Sequence, residues 1–396
     1  MGHKSIVGTI LCGVVATLLM PASVSAQTVQ DRVSGTEKGS VLIFPKVEVR
    51  WDESGFLTQD TFISLTNDYP GSVDVQMYFV MGDPEETTDR FHPGWNFEGR
   101  EYWSDVKITL TGNQPTYWSA YTGLGYPGPA VSPWTVLDPG DPPGRPDPDH
   151  GGRYLRGYII AFAVDAENGH EVRWDHLAGN GTIVNYYHGF AWEYNAWAFQ
   201  GVASVVGDGV LNLDGTEYAE CFEYLLMNFQ AVESAAYSHE GVSQVITDTD
   251  LTLLTLGIDL NQVHDDPICT KASFLVWNQW EAQFSGAHRC VCVWDQQFLS
   301  LYDSPNHFLR EFLQTDQGKA RFKGEQAEAE CPHSVAAPLL GVVAKILVFD
   351  GGNNYGAAGS NLFGMGFDQA VIKFSPQGPP PPMTPQGLMN SFLSSN

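Results

Sequence analysis

The sequence predicts an all-β protein: two β-sandwich domains of immunoglobulin-like or jelly-roll type, with long loop insertions and at most one or two short helices. Short runs rich in β-branched and aromatic residues recur with alternating polar positions, and turn residues separate them at short intervals. Only one segment has the apolar spacing and the start signal of a helix. Many short strands with little helix are typical of sandwich architecture.

The first 26 residues have the pattern of a secretory signal. Lys4 supplies the positive start, residues 6–20 the apolar centre, and Val24-Ser25-Ala26 the small residues of a cleavage site. The apolar run is short and weakly flanked for a membrane span. We therefore expect a secreted protein, extracellular, periplasmic or on the cell surface, and not an integral membrane protein.

The chain is strongly acidic. Its formal net charge is −26, and loss of the first 26 residues, which hold one Lys and no acid, changes this to −27. Nucleic acids and anionic membranes attract basic patches, so neither is an expected partner. The favoured explanation of the acidity is solubility in an extracellular or saline setting. The alternative is calcium binding, but no ordered ligand loop is visible, so no cofactor is expected.

Residues 39–245 form the first predicted domain. A strand pattern begins at Ser40, and Pro45 predicts an edge position or a bulge near its start. Two further strands, at 61–66 and 73–80, are joined by a segment with strong turn chemistry, which predicts a hairpin.

A Pro-, Gly- and Asp-rich excursion interrupts this domain at about 82–152. A strand is predicted at 106–110, whereas 123–152 fits no regular element and predicts an inserted surface loop. Aromatic residues concentrate in the excursion. Because sugar rings stack on exposed aromatic side chains, this cluster is a candidate glycan-binding surface; the alternative is a satellite cluster that packs the excursion onto the sheet. The candidate ligand-binding residues are Trp95, Tyr102, Trp103, Trp118, Tyr121 and Trp134.

The clearest strand signals of the chain lie between residues 153 and 200. The apolar run at 158–164 is followed by Asn168-Gly169, which supplies the positive φ of a tight hairpin turn. Apolar and polar residues alternate again at 171–176, so this segment is the predicted partner strand.

The same stretch holds the candidate catalytic residues. An acid beside a His can orient and charge it for general-base work, and paired carboxylates can serve glycoside hydrolysis. The favoured alternative is that these groups lie on a solvent face or at strand ends, as in any half-buried sheet. The chain has no G-x-S-x-G elbow, H-E-x-x-H motif or phosphate-binding loop, so an enzyme is not the leading expectation. The candidates are Asp175, His176, His188 and Glu193.

Residues 246–375 form the second predicted domain. A strand is expected at 250–260 and a hairpin at 274–294. Ser304 and the following proline predict a helix start. Closing strands at 338–349 and 370–374 complete this domain, and the flanking tails are a polar one at 27–38 and a Pro-rich one at 376–396.

Five cysteines follow the predicted signal, and an exported chain makes disulfides the expected state. Cys290 and Cys292 lie two apart in a predicted strand, so their side chains share a face and should not bond each other. An alternative zinc site that adds His288 and His333 matches no standard spacing, so no metal site is expected. The odd count leaves at least one thiol unpaired. The disulfide candidates are Cys269, Cys290, Cys292 and Cys331.

Parts of the chain resemble a group of uncharacterised secreted bacterial proteins with immunoglobulin-like sandwich domains. The similar segments are 60–67, 155–158, 174–179, 191–196 and 338–341, and together with their surroundings they cover about half of the chain. The resemblance implies the fold and an exported location, and it transfers no activity and no functional residue.

Three functional hypotheses follow. The leading one is a secreted or cell-envelope non-enzymatic protein of structural, adhesion or assembly type, with other envelope proteins or extracellular glycan as partners and self-assembly through open sheet edges. The second is a carbohydrate-binding protein that uses the aromatic cluster. The third is a secreted hydrolase with an Asp/His/Glu site.

Overall fold

Strands account for most of the described chain. The computed structural model describes residues 37–82, 103–123, 134, 140–147, 151–202, 206–232, 237–239, 242–261, 268–302, 305–349 and 352–376. Within these ranges, the complete helical elements are a 3₁₀ turn at Leu299–Leu301 and one α-helical turn, α1, at Arg310–Leu313; Trp134 and Gly352 are single helical positions. The predicted all-β sandwich class is therefore confirmed, and the immunoglobulin-like type stays a prediction.

Ten strands from the first half of the chain form one large sheet. They are β1 (Val41–Trp51), β2 (Leu57–Asn67), β3 (Val73–Met81), β4 (Trp103–Leu110), β5 (Gln114–Ser119), β6 (Arg145–Pro146), β7 (Arg153–Val164), β8 (Leu177–Asn185), β9 (Phe190–Asn195) and β10 (Trp197–Phe199). The order is β4-β3-β7-β1-β2-β8-β9; β10 pairs with β1, β5 with β2, and β6 with β7. The predicted excursion thus contributes three strands to the sheet.

Three smaller sheets follow. Their strands are β11 (Val210–Leu213), β12 (Tyr224–Gln230), β13 (Tyr237–His239), β14 (Val242–Thr255), β15 (Ile258–Leu260), β16 (Cys269–Asn278), β17 (Gln283–Cys292), β18 (Trp294–Phe298), β19 (Gln317–Glu325), β20 (Leu339–Phe349), β21 (Asn354–Asn361), β22 (Phe363–Met365) and β23 (Ala370–Phe374). The orders are β11-β23-β15, β17-β16-β19-β12-β22, and β13-β14-β20-β21 with β18 on β14. The β15–β23 pair is parallel.

The strand pairing crosses the predicted domain boundary at residue 245. Strand β11 pairs with β23, and β12 pairs with β19. The sheets divide between β10 and β11, near residue 200, because every strand of the large sheet precedes that point. The organisation into two domains stays a prediction. Residues 1–36 and 377–396, which carry the predicted signal and most of both tails, lie outside the described ranges.

The central strands of the large sheet are buried on both faces. On β7, Ile160 and Phe162 join one apolar core, and Ile159 and Ala161 join the other. Burial on both faces explains why this strand is a continuous apolar run with no polar alternation. Each fully buried side chain of this size contributes about 1.5–3 kcal/mol to folding.

Pro45 lies at a bulge in β1, as the sequence predicted. The register of β1 against β7 shifts between Phe44 and Val47. Upstream, Val41 and Ile43 point into the core that includes β14 and β20. Downstream of the shift, the alternation places Lys46, Glu48 and Arg50 on that side, and Val47, Val49 and Trp51 in the opposite core.

The predicted partner strand at 171–176 is not formed. A single bridge joins Val164 to Glu171, because both edges of β7 are already occupied by β1 and β3. The turn itself is present, with Gly169 at φ 72°. The chain re-enters the sheet only at β8, on the far side of β2.

The predicted helix after Ser304 is reduced to α1. Ser304 lies outside the described residues. Val232 donates its N–H to the Phe308 carbonyl at 3.0 Å and accepts from the Arg310 N–H at 3.0 Å. This parallel pairing holds Leu309 in extended backbone, so the helix cannot begin before Arg310.

Two disulfides are present, which confirms that expectation. Cys269 bonds Cys292 across the β16–β17 hairpin, and Cys290 bonds Cys331. Cys221 is buried and unbonded. The sulfurs of the four disulfide-bonded cysteines are therefore not available as the thiolates that the alternative zinc site requires. The disulfides point to an oxidising, extracellular environment. Within the described residues, no helix is long and apolar enough to cross a membrane.

Candidate functional site

The candidate catalytic residues do not converge. Asp175 accepts hydrogen bonds from the Ser40 hydroxyl at 2.7 Å, the Gly201 N–H at 2.6 Å and Arg173 Nε at 2.8 Å. These bonds connect the start of β1 to the segments on either side of β8–β10, which is a structural role. His176 Nδ1 lies 3.1 Å from Asp68 Oδ1, and both side chains are partly exposed.

The other two candidates lie elsewhere. Strand β8 separates Asp175 and His176 from His188 by nine residues, about 30 Å of extended chain. Glu193 is exposed on β9. The structure therefore does not bring the four candidates together: Asp175 and His176 precede β8, His188 follows it, and Glu193 pairs with Thr182 near the middle of that strand.

Three of the four described rings of the predicted aromatic binding surface are buried. Trp103, Trp118 and Trp134 are buried at 6%, 1% and 1% exposure, so they offer no face to a sugar. Tyr121 is half-buried against the edge of Trp51, with ring centroids 5.3 Å apart. The buried rings pack in the apolar cores, which is the alternative that the sequence left open. Trp95 and Tyr102 lie outside the described residues.

A cleft of about 880 Å³ lies where the large sheet faces the sheet of β14, β18 and β20. Strands β1, β8 and β9 form one side. The charged and amide residues that line it include Lys46, Glu48, Arg50, Asp147, Asp248, Asp250 and Gln296. The aromatic residues that line it are Trp51, Tyr187, His188, Phe190, Trp192, Phe298 and Tyr355.

Strand periodicity places these charges. The bulge at Pro45 turns Lys46, Glu48 and Arg50 towards β14. On β14, Asp248 and Asp250 are two residues apart and share one face of the strand. The charged faces of two strands about 200 residues apart in the chain therefore meet.

The floor of the cleft is a buried ion-pair network. Lys46 Nζ lies 2.9 Å from Asp250 Oδ2, 3.4 Å from Glu48 Oε2 and 3.2 Å from the Thr252 hydroxyl. Arg50 contacts Glu48 Oε1 through Nη2 at 2.6 Å and Nε at 2.7 Å, and its other nitrogen pairs with Asp147. The two cations are therefore already neutralised by acids.

Two carboxyl groups of the cleft have pKa values that are shifted in opposite directions. Burial alone would raise the pKa of Glu48, but the positive charges of Arg50, Lys46 and Arg156 outweigh burial and lower this pKa well below its usual range. Burial raises the pKa of Asp248, although the Ser300 hydroxyl donates to it at 2.5 Å. Glu48 is therefore held ionised, and Asp248 takes up a proton more readily than an exposed aspartate.

Two buried acceptors in the cleft have no hydrogen-bond partner among the described residues. Gln296 Nε2 donates to Asp250 Oδ2 at 2.9 Å, but Gln296 Oε1 and Asp250 Oδ1 are unpartnered. Buried polar atoms nearly always have a partner, and these two atoms can only accept. Both residues line the cleft, and the two oxygens lie just beneath its surface.

One wall of the cleft holds a cluster of aromatic rings. The His188 ring lies 3.9 Å from the Tyr355 ring, centroid to centroid, and both lie near Phe190. Tyr187, beside them, is 76% exposed. Of the four candidate catalytic residues, only His188 lines this cleft.

Sequence reasoning missed the charged floor. The alternation of Lys46, Glu48 and Arg50 was visible, but alternating charge on a strand is typical of a solvent face. The signal that could have identified the site is the second alternating acidic pattern at Asp248 and Asp250, which complements Lys46 in charge. Nothing local indicates that these strands face each other.

No known family model matches the chain, and no curated protein matches it either. The functional interpretation therefore depends on the cleft itself.

Proposed function

We propose that the protein is an exported, non-enzymatic binding protein of adhesion type that holds a neutral carbohydrate in the cleft between β1 and β14. The observation that carries this proposal is the pair of unpartnered buried acceptors, Asp250 Oδ1 and Gln296 Oε1, below an aromatic wall.

A sugar matches both features. Its hydroxyls are the donors that Asp250 and Gln296 lack, and its ring faces stack on aromatic side chains such as Tyr187 and Tyr355. The volume of about 880 Å³ lies within the range of about 300–1,000 Å³ that ligand pockets occupy. A short oligosaccharide fits this space.

The charge of the cleft favours a neutral ligand. Lys46 and Arg50 are paired with acids, and Asp52 and Glu53 add further negative charge at the lining. A phosphorylated or uronic ligand would meet repulsion there. The two disulfides, the predicted signal and the resemblance to secreted bacterial proteins support an extracellular glycan as the partner.

A glycan array followed by calorimetry tests the proposal. We expect neutral glycans to bind, and Tyr187→Ala to weaken the best one about fivefold, since one ring contact is worth about 1 kcal/mol. Gln296→Leu removes a hydrogen-bond acceptor and should weaken the binding of the same glycan more than Tyr187→Ala does. The matched control is Trp280→Ala, an aromatic residue 67% exposed in the β16–β17 turn, which should bind as the wild type does. If no glycan on the array binds, or if both cleft variants bind as the wild type does, this site is ruled out.

A glycoside hydrolase is the second candidate function. Asp248, with its raised pKa, and Glu48, with its lowered pKa, line one cleft, and opposite shifts of two carboxyls are typical of acid and base pairs. The ion pairs of Glu48 with Arg50 and Lys46 tie it to the protein and favour binding over catalysis. Release of reducing ends from a bound glycan, abolished by Asp248→Asn, would establish the hydrolase instead.

A further inference from the structure

Three carboxylates meet away from the cleft. Glu171 follows the turn after β7, Asp208 precedes β11, and Glu217 follows β11. One oxygen of each lies within 4.8 Å of the others. Glu171 and Glu217 are buried at 1% and 4% exposure, whereas Asp208 is exposed.

No described cation balances these charges. Among the described residues, no Lys, Arg or His lies within ion-pair distance of the three carboxylates. Their donors are neutral: Glu171 accepts from the N–H groups of Asp208 and Gly209 at 2.7 and 3.0 Å. Glu217 accepts from the Val206 N–H at 3.2 Å and from Asn212 Nδ2 at 2.7 Å and N–H at 3.4 Å. Burying carboxylates without a counter-charge is costly, so the cluster calls for a cation.

Tyr218 provides a separate observation. Its side chain is fully buried, and its hydroxyl has no hydrogen-bond partner within the described part of the chain. Burial, and then the charges of Glu171, Glu217 and Asp175, raise the pKa of this phenol, and Tyr218 follows Glu217 directly in the chain, so the ring lies near the carboxylates. A buried hydroxyl without a partner indicates a missing group at this place.

We propose that Glu171, Asp208 and Glu217 bind a calcium ion, with the Tyr218 hydroxyl hydrogen-bonded to a water of its coordination shell. Calcium takes carboxylate oxygens at about 2.3–2.6 Å, so two oxygens bound to one ion lie at most about 5 Å apart. The three oxygens here all lie within 4.8 Å of one another and meet that limit. The all-oxygen set excludes a preference for zinc, and an irregular loop suits calcium better than the strict octahedron of magnesium.

The ion would join distant parts of the fold. Glu171 lies in the connection between β7 and β8 of the large sheet, whereas Asp208 and Glu217 flank a strand of the β11-β23-β15 sheet. Asp208 and Glu217 follow Glu171 by 37 and 46 positions in the chain. The three ligands therefore do not form one contiguous loop that sequence inspection could find. This site is independent of the glycan cleft.

Calcium binding can be tested on the purified protein after EDTA treatment and dialysis. We expect CaCl₂ at millimolar concentration to raise the Tm by several degrees, and bound Tb³⁺ to luminesce on excitation of Tyr218 and nearby aromatic residues. Glu217→Gln should weaken calcium affinity about tenfold or more, because affinity follows the number of charged ligands. Asp208→Asn, at an exposed position that tolerates the change, keeps the oxygen that accepts the Val210 N–H and should also weaken binding.

The matched control is Glu193→Gln, which removes one exposed carboxylate on β9 and should leave the calcium response unchanged. Near-ultraviolet circular dichroism of each variant verifies the fold. The proposal is overturned if calcium up to 10 mM neither changes the Tm nor gives a measurable heat of binding. It is also overturned if folded Asp208→Asn and Glu217→Gln show the same calcium response as the wild type.

Discussion

Lys46 Nζ lies 2.9 Å from Asp250 Oδ2, and the two side chains are almost completely buried between two sheets. The pair joins β1 to β14, and Lys46 also donates to the Thr252 hydroxyl of β14 at 3.2 Å. Beside it, Trp294 Nε1 of β18 donates to the Pro45 carbonyl of β1 at 2.8 Å. Burying both charges has a desolvation cost that only a close, well-hydrogen-bonded pair can offset. The pair therefore specifies how the two sheets face each other.

Lys46→Met should destabilise the fold by about 3–5 kcal/mol, because it leaves Asp250 buried without a counter-charge. Urea unfolding at pH 7 measures this cost. The double variant Lys46→Met/Asp250→Asn should recover a large part of it. Lys319→Met breaks the exposed pair with Glu281 and should cost at most about 1 kcal/mol. Equal costs for Lys46→Met and Lys319→Met would contradict a buried pair.

Asp248→Asn should become more stabilising, relative to the wild type, as pH rises. Burial raises the folded-state pKa of Asp248 above its ordinary value of 3.8, so the stability that this carboxyl contributes is fully present below 3.8 and is lost as pH rises through the folded pKa. Asparagine does not titrate. Urea midpoints of both proteins at pH 3.5 and pH 7 give the comparison, and a difference independent of pH would exclude a raised pKa.

Removing either disulfide should destabilise the protein, and the longer loop should matter more. Cys290 and Cys331 are 41 residues apart, and Cys269 and Cys292 are 23 apart. Loop-closure entropy gives about 4 and about 3 kcal/mol. Paired Cys→Ala variants of each bond, unfolded in urea, test the ranking. Stabilities that equal that of the wild type would show that the bonds do not form.

Cys221 should be unreactive until the protein unfolds. Burial, and then the negative charge of Asp368, raise the pKa of this thiol, and reactivity requires an accessible thiolate. We expect a thiol reagent to titrate no cysteine in the native chain lacking residues 1–26, and one cysteine in denaturant. A second thiol in denaturant would contradict the two disulfides.

Much of the local structure was predictable from residue patterns. The apolar run at 158–164 lies in β7, the segment 73–80 in β3, and the break at Pro45 is a bulge, because each depends on the backbone chemistry and face pattern of neighbouring residues. The disulfide candidates were predictable too, since Cys290 and Cys292 on one face of a strand must find partners elsewhere.

The candidate site was not predictable in the same way. His188 was identified as a candidate and lines the cleft. Asp175 and His176, which precede β8 in the chain, lie at the other end of that strand, where Asp175 bonds Ser40 and Gly201. Trp103 and Trp118 looked like exposed loop aromatics because the strands β4 and β5 that bury them lie within a Pro- and Gly-rich excursion.

By itself, the sequence determined the fold class, the strand alternation, the acidic charge and the cysteines that pair. Only the tertiary structure decided which faces meet. Alternation specifies that Lys46, Glu48 and Arg50 share a side of β1, but whether that side meets water or Asp250 depends on a strand about 200 residues later. Side-chain periodicity is a property of one segment, whereas burial of a charge depends on the long-range packing of two.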